Sequence, residues 1–318
     1  MNTTHPRRSH SGTGAPEPRL AAAAAAALTA IAVAAGPLLP GAADYTDAFV
    51  PPGLPVLAAA LGTGGMLASL AGRRWGEASR TALLAVIGVA AVALLWTSGG
   101  LVFDLLRIAS LVTGADVMPA EVDWPGVPVR LTALAAALLV AVAGLRFARA
   151  TANACARCGR VPGAPPRTPA RGPAVVAVVA ALPYPVLKTL WMLGVNVGLA
   201  SDDTFAHDAL AWLPVLPVLV GLALSLALAH PRGFGAPRWL LLAGGWFSAV
   251  VLGTVGLPAA YVAGRTLLDD GLLTAIGGIS SWVYVTFYLS WLLWAAALTC
   301  ATWDYQQRTR GHCPACPG

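Results

Sequence analysis

The chain has 318 residues, 57% of them hydrophobic and only 11% charged, with a mean hydropathy of +0.71 and a formal net charge of +6. A soluble domain carries about a quarter of its residues as charges, so this composition excludes a water-exposed globular protein and makes the bilayer the solvent. The basic balance does not indicate a nucleic-acid partner, because the arginines lie in short segments between apolar runs without the basic-aromatic interleaving of a nucleic-acid surface.

Residues 1–19, rich in Pro, Ser, Thr, Gly and His, cannot bury a core and read as a disordered cytosolic tail. Apolar runs near the ~20 residues needed to cross ~30 Å of hydrocarbon follow at 20–40, 54–71, 81–99, 129–145, 174–196, 209–229, 239–262 and 279–303. The pattern predicts an all-α, polytopic transmembrane helix bundle of about eight spans. The second and fourth runs are short and rich in Ala and Gly, which leaves a seven-span count open. Leu20 to Gly36 has the look of a signal-peptide core, with Arg7, Arg8 and Arg19 before it and Ala42-Ala43 after it. Its place in the internal repeat described below makes it a retained span.

Alternate loops differ sharply in charge. One set holds Arg7, Arg8, Arg19, Arg73, Arg74, Arg80, Arg146, Arg149, Arg157, Arg160, Arg167, Arg171, Arg232, Arg238, Arg308 and Arg310 against Glu17, Glu77 and Asp304. The other holds Asp44, Asp47, Asp116, Glu121, Asp123, Asp202, Asp203, Asp208, Asp269 and Asp270. With loops this short, the arginine bias places both termini in the cytoplasm of a bacterial plasma membrane, with anionic lipid headgroups as neighbours.

The outer segment 101–114 is apolar around Asp104 and Arg107, an i, i+3 acid-base pair, and reads as an interfacial extension of the third span. Tryptophans 96, 124, 191, 212, 239, 282 and 303 fall near predicted span ends, as interfacial belts require.

The chain carries one unit twice. Leu54-Pro55-Val56-Leu57 recurs as Leu213-Pro214-Val215-Leu216, followed in step by Gly62/Gly221, Leu67/Leu226, Ala68/Ala227, Arg73/Arg232 and Gly76/Gly235. These are nine identities over 23 gap-free positions, where this composition gives roughly two by chance, so a tandem duplication is the reading. The units are 20–160 and 173–318, each of four spans, joined by a Pro-rich cytosolic linker at 161–172. An even number of spans per unit makes the two repeats parallel.

Each unit ends in C-x-x-C, at Cys155/Cys158 and at Cys313/Cys316. Two thiolates at this spacing grip one ion as in a zinc knuckle, and two such pairs in one compartment supply the four sulfurs of a structural zinc site. Gly159 allows the tight turn after Cys158. Pro317 stands in its place after Cys316, and His312 or His230 is an alternative ligand. A redox pair, transient metal handling and no metal at all remain alternatives, whereas disulfides are disfavoured in a reducing cytosol.

Lys188, the charge deepest in a span, follows Pro183 and Pro185, two residues that each remove a helical N–H donor. It reads either as an intramembrane ligand site or as a side chain snorkelling towards Asp202 and Asp203. Pro183-Tyr184-Pro185-x-Leu187-Lys188-x-x-Trp191, together with basic C-x-x-C ends, resembles a loose group of uncharacterised multi-pass membrane proteins of high-GC bacteria. The resemblance implies the membrane class and no activity.

G-x-x-x-x-G-K-[ST], H-E-x-x-H and G-x-S-x-G are all absent, and no His lies inside a span, so a non-enzymatic protein is expected. Its cysteine cluster would be a structural clamp or a docking surface for a cytosolic protein. The alternative is a small-solute transporter with its site between the repeats near Lys188.

Overall fold

The computed structural model describes residues 17–38, 49–71, 75–114, 122–152, 154–155, 158–161, 171–199, 215–231, 233–268, 279–310 and 313. Among them the protein is all-helical, apart from one isolated bridge between Leu199 and Ile279. In chain order the helices are α1 Glu17–Ala35, α2 Leu54–Leu70, α3 Glu77–Thr97, α4 Leu101–Thr113, α5 Gly126–Thr151, α6 Arg171–Ala181, α7 Pro183–Met192, α8 Val215–Ala229, α9 Arg238–Leu268 and α10 Ser281–Arg308. Six segments are long and apolar enough to cross a membrane: α1, α3 with α4, α5, α6 with α7, α9 and α10.

Two expectations change in detail. The fourth run, expected to be short, forms the 26-residue α5, because Gly126 to Arg130 start the helix before the apolar stretch begins. The second run is short as expected, forming the 17-residue α2, and the other short member is α8, with 15. At 1.5 Å per residue these reach about 26 and 23 Å, less than the ~30 Å of a hydrocarbon core.

The breaks follow from residue type. Gly100, at φ 91°, separates α3 from α4 in a left-handed conformation that side chains resist. Leu182 separates α6 from α7, since Pro183 cannot donate to the ladder and starts a new helix at its first turn.

Packing inverts the order of a soluble core. In the first half α1, α2, α3 and α5 form a ring in which α1 touches α2 and α5, and α3 touches the same two. Its centre is mostly alanine, including Ala22, Ala26, Ala58, Ala90, Ala136 and Ala143, with Met66 and Val140. Larger aliphatics such as Val86, Val89, Val92, Leu138 and Val142 point outward. Small residues inside and branched ones outside are what helices need to approach closely in lipid. The second half repeats the ring order, with α6 touching α8 and α10, and α9 touching the same two. Gly256 of α9 lies so close to the Leu292 backbone that a Cβ there would come within 3.0 Å. The halves meet where α9 runs against α3 and α4, with Gly99 packed on Pro258 and Gly253 on Leu95.

One end of both rings is rich in arginine, and these side chains cap helix C-termini. Arg19 donates to the Ser69 carbonyl at 2.8 Å and Arg80 to the Ala148 carbonyl at 3.3 Å, while Arg308 donates to the carbonyls of Leu228, His230 and Pro231. Cations at these positions complement both the unsatisfied carbonyls and the helix dipole.

Candidate metal centre

The C-termini of α5 and α10, which close the two halves, emerge side by side at this arginine-rich end. Arg149 of α5 lies with its guanidinium carbon 6.0 Å from the Trp303 ring centroid of α10, and Arg310 donates to the Cys158 carbonyl. Past α5 the chain folds back on itself. The Gly159 N–H donates to the Cys155 carbonyl at 2.6 Å, the Cys155 N–H donates to the Arg160 carbonyl at 2.9 Å, and Gly159 adopts φ 69°. The glycine anticipated for a tight knuckle therefore sits in the left-handed region that such a turn requires.

This turn presents Cys155 and Cys158 to Cys313, which arrives from the other half. The three sulfurs lie within 4.8 Å of one another, and Cys155 Sγ is 4.0 Å from Cys313 Sγ. All three are free thiols, Cys158 buried and the other two partly covered. Sulfurs tetrahedral about zinc at 2.3 Å are separated by about 3.8 Å, so the observed spacing fits a shared ion with little adjustment. Cys316, the fourth expected sulfur, lies outside the described residues, as does His312. His230 stacks on Phe234 and is not in the cluster.

The surroundings are basic. Arg149, Arg160 and Arg310 border the knuckle, and no carboxylate pairs with them among the described residues. Burial, then the like charge of Arg149, push Arg310 below its ordinary value, and Cys158 pulls it the other way. Guanidinium groups gathered in this way would offset the negative charge of a thiolate-bound metal ion.

Lys188 lies elsewhere. On α7 it is 9% exposed, with Nζ 5.9 Å from the Trp191 ring centroid, beside the aromatic group of Tyr184, Trp191 and Phe287. Asp202 and Asp203, its expected snorkelling partners, lie outside the described residues. The cleft between the halves does not include it. That cleft, about 790 Å³, is lined by Gly88, Ala141, Gly144, Trp246, Cys300 and Trp303 among others, and is mostly apolar.

Replacing Lys188 by Met keeps the length and the apolar stem and removes the charge, so the variant is expected to fold. Thermal-shift scans with small anions should treat wild type and variant alike. An anion that stabilises wild type but not Lys188→Met would establish a ligand site there.

One polar group escaped the sequence reading. Arg130, 1% exposed near the start of α5, donates to Asp104 Oδ2 at 2.5 Å and to Asp123 Oδ2 at 2.6 Å. The carboxylate expected to pair with Arg107 thus takes Arg130 as its hydrogen-bonding partner, and the triad ties α4 to α5 at the end opposite the cysteines. A warning sign was present in Asp104, an acid inside the apolar run Leu101 to Val112. No protein family, curated protein or solved structure matches the chain.

Proposed function

We propose that the protein is a non-enzymatic, eight-span integral membrane protein of the bacterial plasma membrane, made of two parallel four-helix repeats clamped at the cytosolic face by zinc. The observation that carries this reading is the meeting of Cys155 and Cys158 from one half with Cys313 from the other, within 4.8 Å. A zinc ion held by these three and Cys316 makes a covalent-strength link between repeats that otherwise meet through sparse contacts of α9 with α3 and α4. The identical ring order in the two halves supports the duplication, and α2 and α8 complete eight spans by drawing on the residues that flank them.

The arginine-rich end is the cytosolic one, which puts the clamp in a compartment that keeps thiols reduced. There the cluster also offers a docking surface to a cytosolic protein. For solute transport the inter-half cleft offers little, since its walls are apolar and Lys188 is not among its lining residues.

Elemental analysis of purified protein is expected to find about one zinc per chain. In intact cells, an impermeant thiol reagent should label a cysteine introduced at 202–208 and fail to label one at 309. A metal-free preparation sinks the clamp, and equal labelling from one side sinks the topology.

A further inference from the structure

The cleft between the halves has a direction. Its walls run along α5 from Ala141 to Ala148 and along α10 from Thr299 to Asp304, towards the arginine-rich end. Seven residues of helix cover about 10 Å, within the ~15 Å of one leaflet. Gly88, Ala141, Leu145, Thr299 and Cys300 all line the cleft and are exposed in it, so its apolar wall is open to whatever lies beside it.

At its basic end four arginines lie on or beside lining residues, and one of them pairs with a carboxylate. Arg149 lies over Trp303, Arg80 donates to the Ala148 carbonyl, Arg171 is two residues before Pro173, and Arg308 holds Asp304 at 3.3 Å. Trp303, Ala148, Pro173 and Asp304 are all cleft-lining residues. Asp304 is thus already neutralised, and the remaining charge at the mouth is positive.

We propose that this cleft binds one anionic phospholipid of the same leaflet, with an acyl chain against Gly88, Ala141 and Cys300 and its phosphate at Arg149. An apolar trough that lies within one leaflet, with surplus arginine at the headgroup level, matches a lipid in both shape and charge. A second protein helix would satisfy only the apolar part. The trough does not depend on the metal, because Gly88 and Cys300 are outside the cysteine cluster; Arg149 also borders the knuckle, so zinc content is read on Arg149→Gln alongside lipid binding.

Gly88 gives a probe: it lines the trough and a Cβ there meets nothing within 4 Å, so Gly88→Leu places a side chain in the trough. Purified protein in mild detergent is titrated with dioleoyl phosphatidylglycerol, dioleoyl phosphatidylcholine or sodium phosphate, and thermal shift and lipid retained in native mass spectra are read. The phosphatidylglycerol alone should raise the melting temperature and remain bound as one molecule. Gly88→Leu should abolish both responses, and Arg149→Gln should weaken them about fivefold. Equal stabilisation by phosphatidylcholine would reduce the cleft to ordinary lipid solvation, and a full response to sodium phosphate would leave only an anion site. Either result overturns the proposal, as does an unchanged phosphatidylglycerol response in Gly88→Leu. Zinc content and circular dichroism verify that the variant is folded. Should it not fold, Cys300→Phe fills the same trough from the facing helix, and a wild-type response in that variant overturns the proposal equally.

Discussion

Cys155→Ser and Cys313→Ser are each expected to take zinc from about one per chain to nearly none, and to lower the melting temperature by the same amount. A serine hydroxyl is a poor substitute for a thiolate ligand, and a tetrahedral site that loses one of its four sulfurs loses most of its affinity. The decisive comparison is the double variant. If one ion is shared between Cys155, Cys158 and Cys313, whose sulfurs lie within 4.8 Å, the first substitution already destroys the site and the second adds little. Two independent pairs would instead give additive losses and leave some metal in each single variant.

The size of the effect is bounded. Structural zinc contributes about 10–16 kcal/mol in isolated zinc-finger peptides, but those peptides are unfolded without metal, whereas here each ring has its own packed centre. Apo protein should therefore keep its helices and lose the coupling between halves. Chelator added to wild type should reproduce the melting temperature of the serine variants, and chelator added to those variants should change nothing. A chelator shift that persists in Cys155→Ser would place the metal elsewhere.

Much of this architecture was legible because lipid leaves the backbone few choices. A run of apolar residues in hydrocarbon must satisfy its own amides, so hydropathy reads out helices almost directly. The runs at 81–99, 239–262 and 279–303 became Glu77–Thr97, Arg238–Leu268 and Ser281–Arg308. The break before Lys188 was legible for a similar reason, since Pro183 and Pro185 lack donors. The cysteine cluster was legible only in the recurrence of C-x-x-C, as 158 residues separate Cys155 from Cys313 and nothing local joins them. What sequence could not supply was the partner of a charge. Asp104 had Arg107 one turn away, but the fold brings Arg130 from 26 residues further on, a pairing that only the approach of α4 to α5 decides. The inter-half cleft was equally hidden, because its walls come from α3, α5, α6, α9 and α10, and each reads separately as an ordinary lipid-facing helix.

Arg130→Met is expected to cost about 3–5 kcal/mol, among the largest losses from any single substitution away from the cysteines. The reason is the pair of carboxylates left behind. Asp104 is fully buried, its Oδ1 already has no hydrogen-bond partner, and Asp123 is 3% exposed, so neither can recover water without opening the contact of α4 with α5. Arg130→Lys should recover only part of the loss, because one ammonium cannot reproduce the fork by which Nη1 and Nη2 reach two different acids. Removing all three charges separates packing from electrostatics. Asp123→Asn keeps an oxygen for the Gly126 N–H, which Asp123 Oδ1 now accepts at 3.0 Å, while Asp104→Leu and Arg130→Met fill their sites with apolar groups. The triple variant should regain most of the stability lost in Arg130→Met, since a buried ion group replaced whole by apolar side chains is often close to neutral. Denaturant or thermal unfolding in detergent measures all three variants. If Arg130→Met unfolds within about 0.5 kcal/mol of wild type, the ordinary range of a surface substitution, the triad is hydrated and does not hold α4 to the bundle.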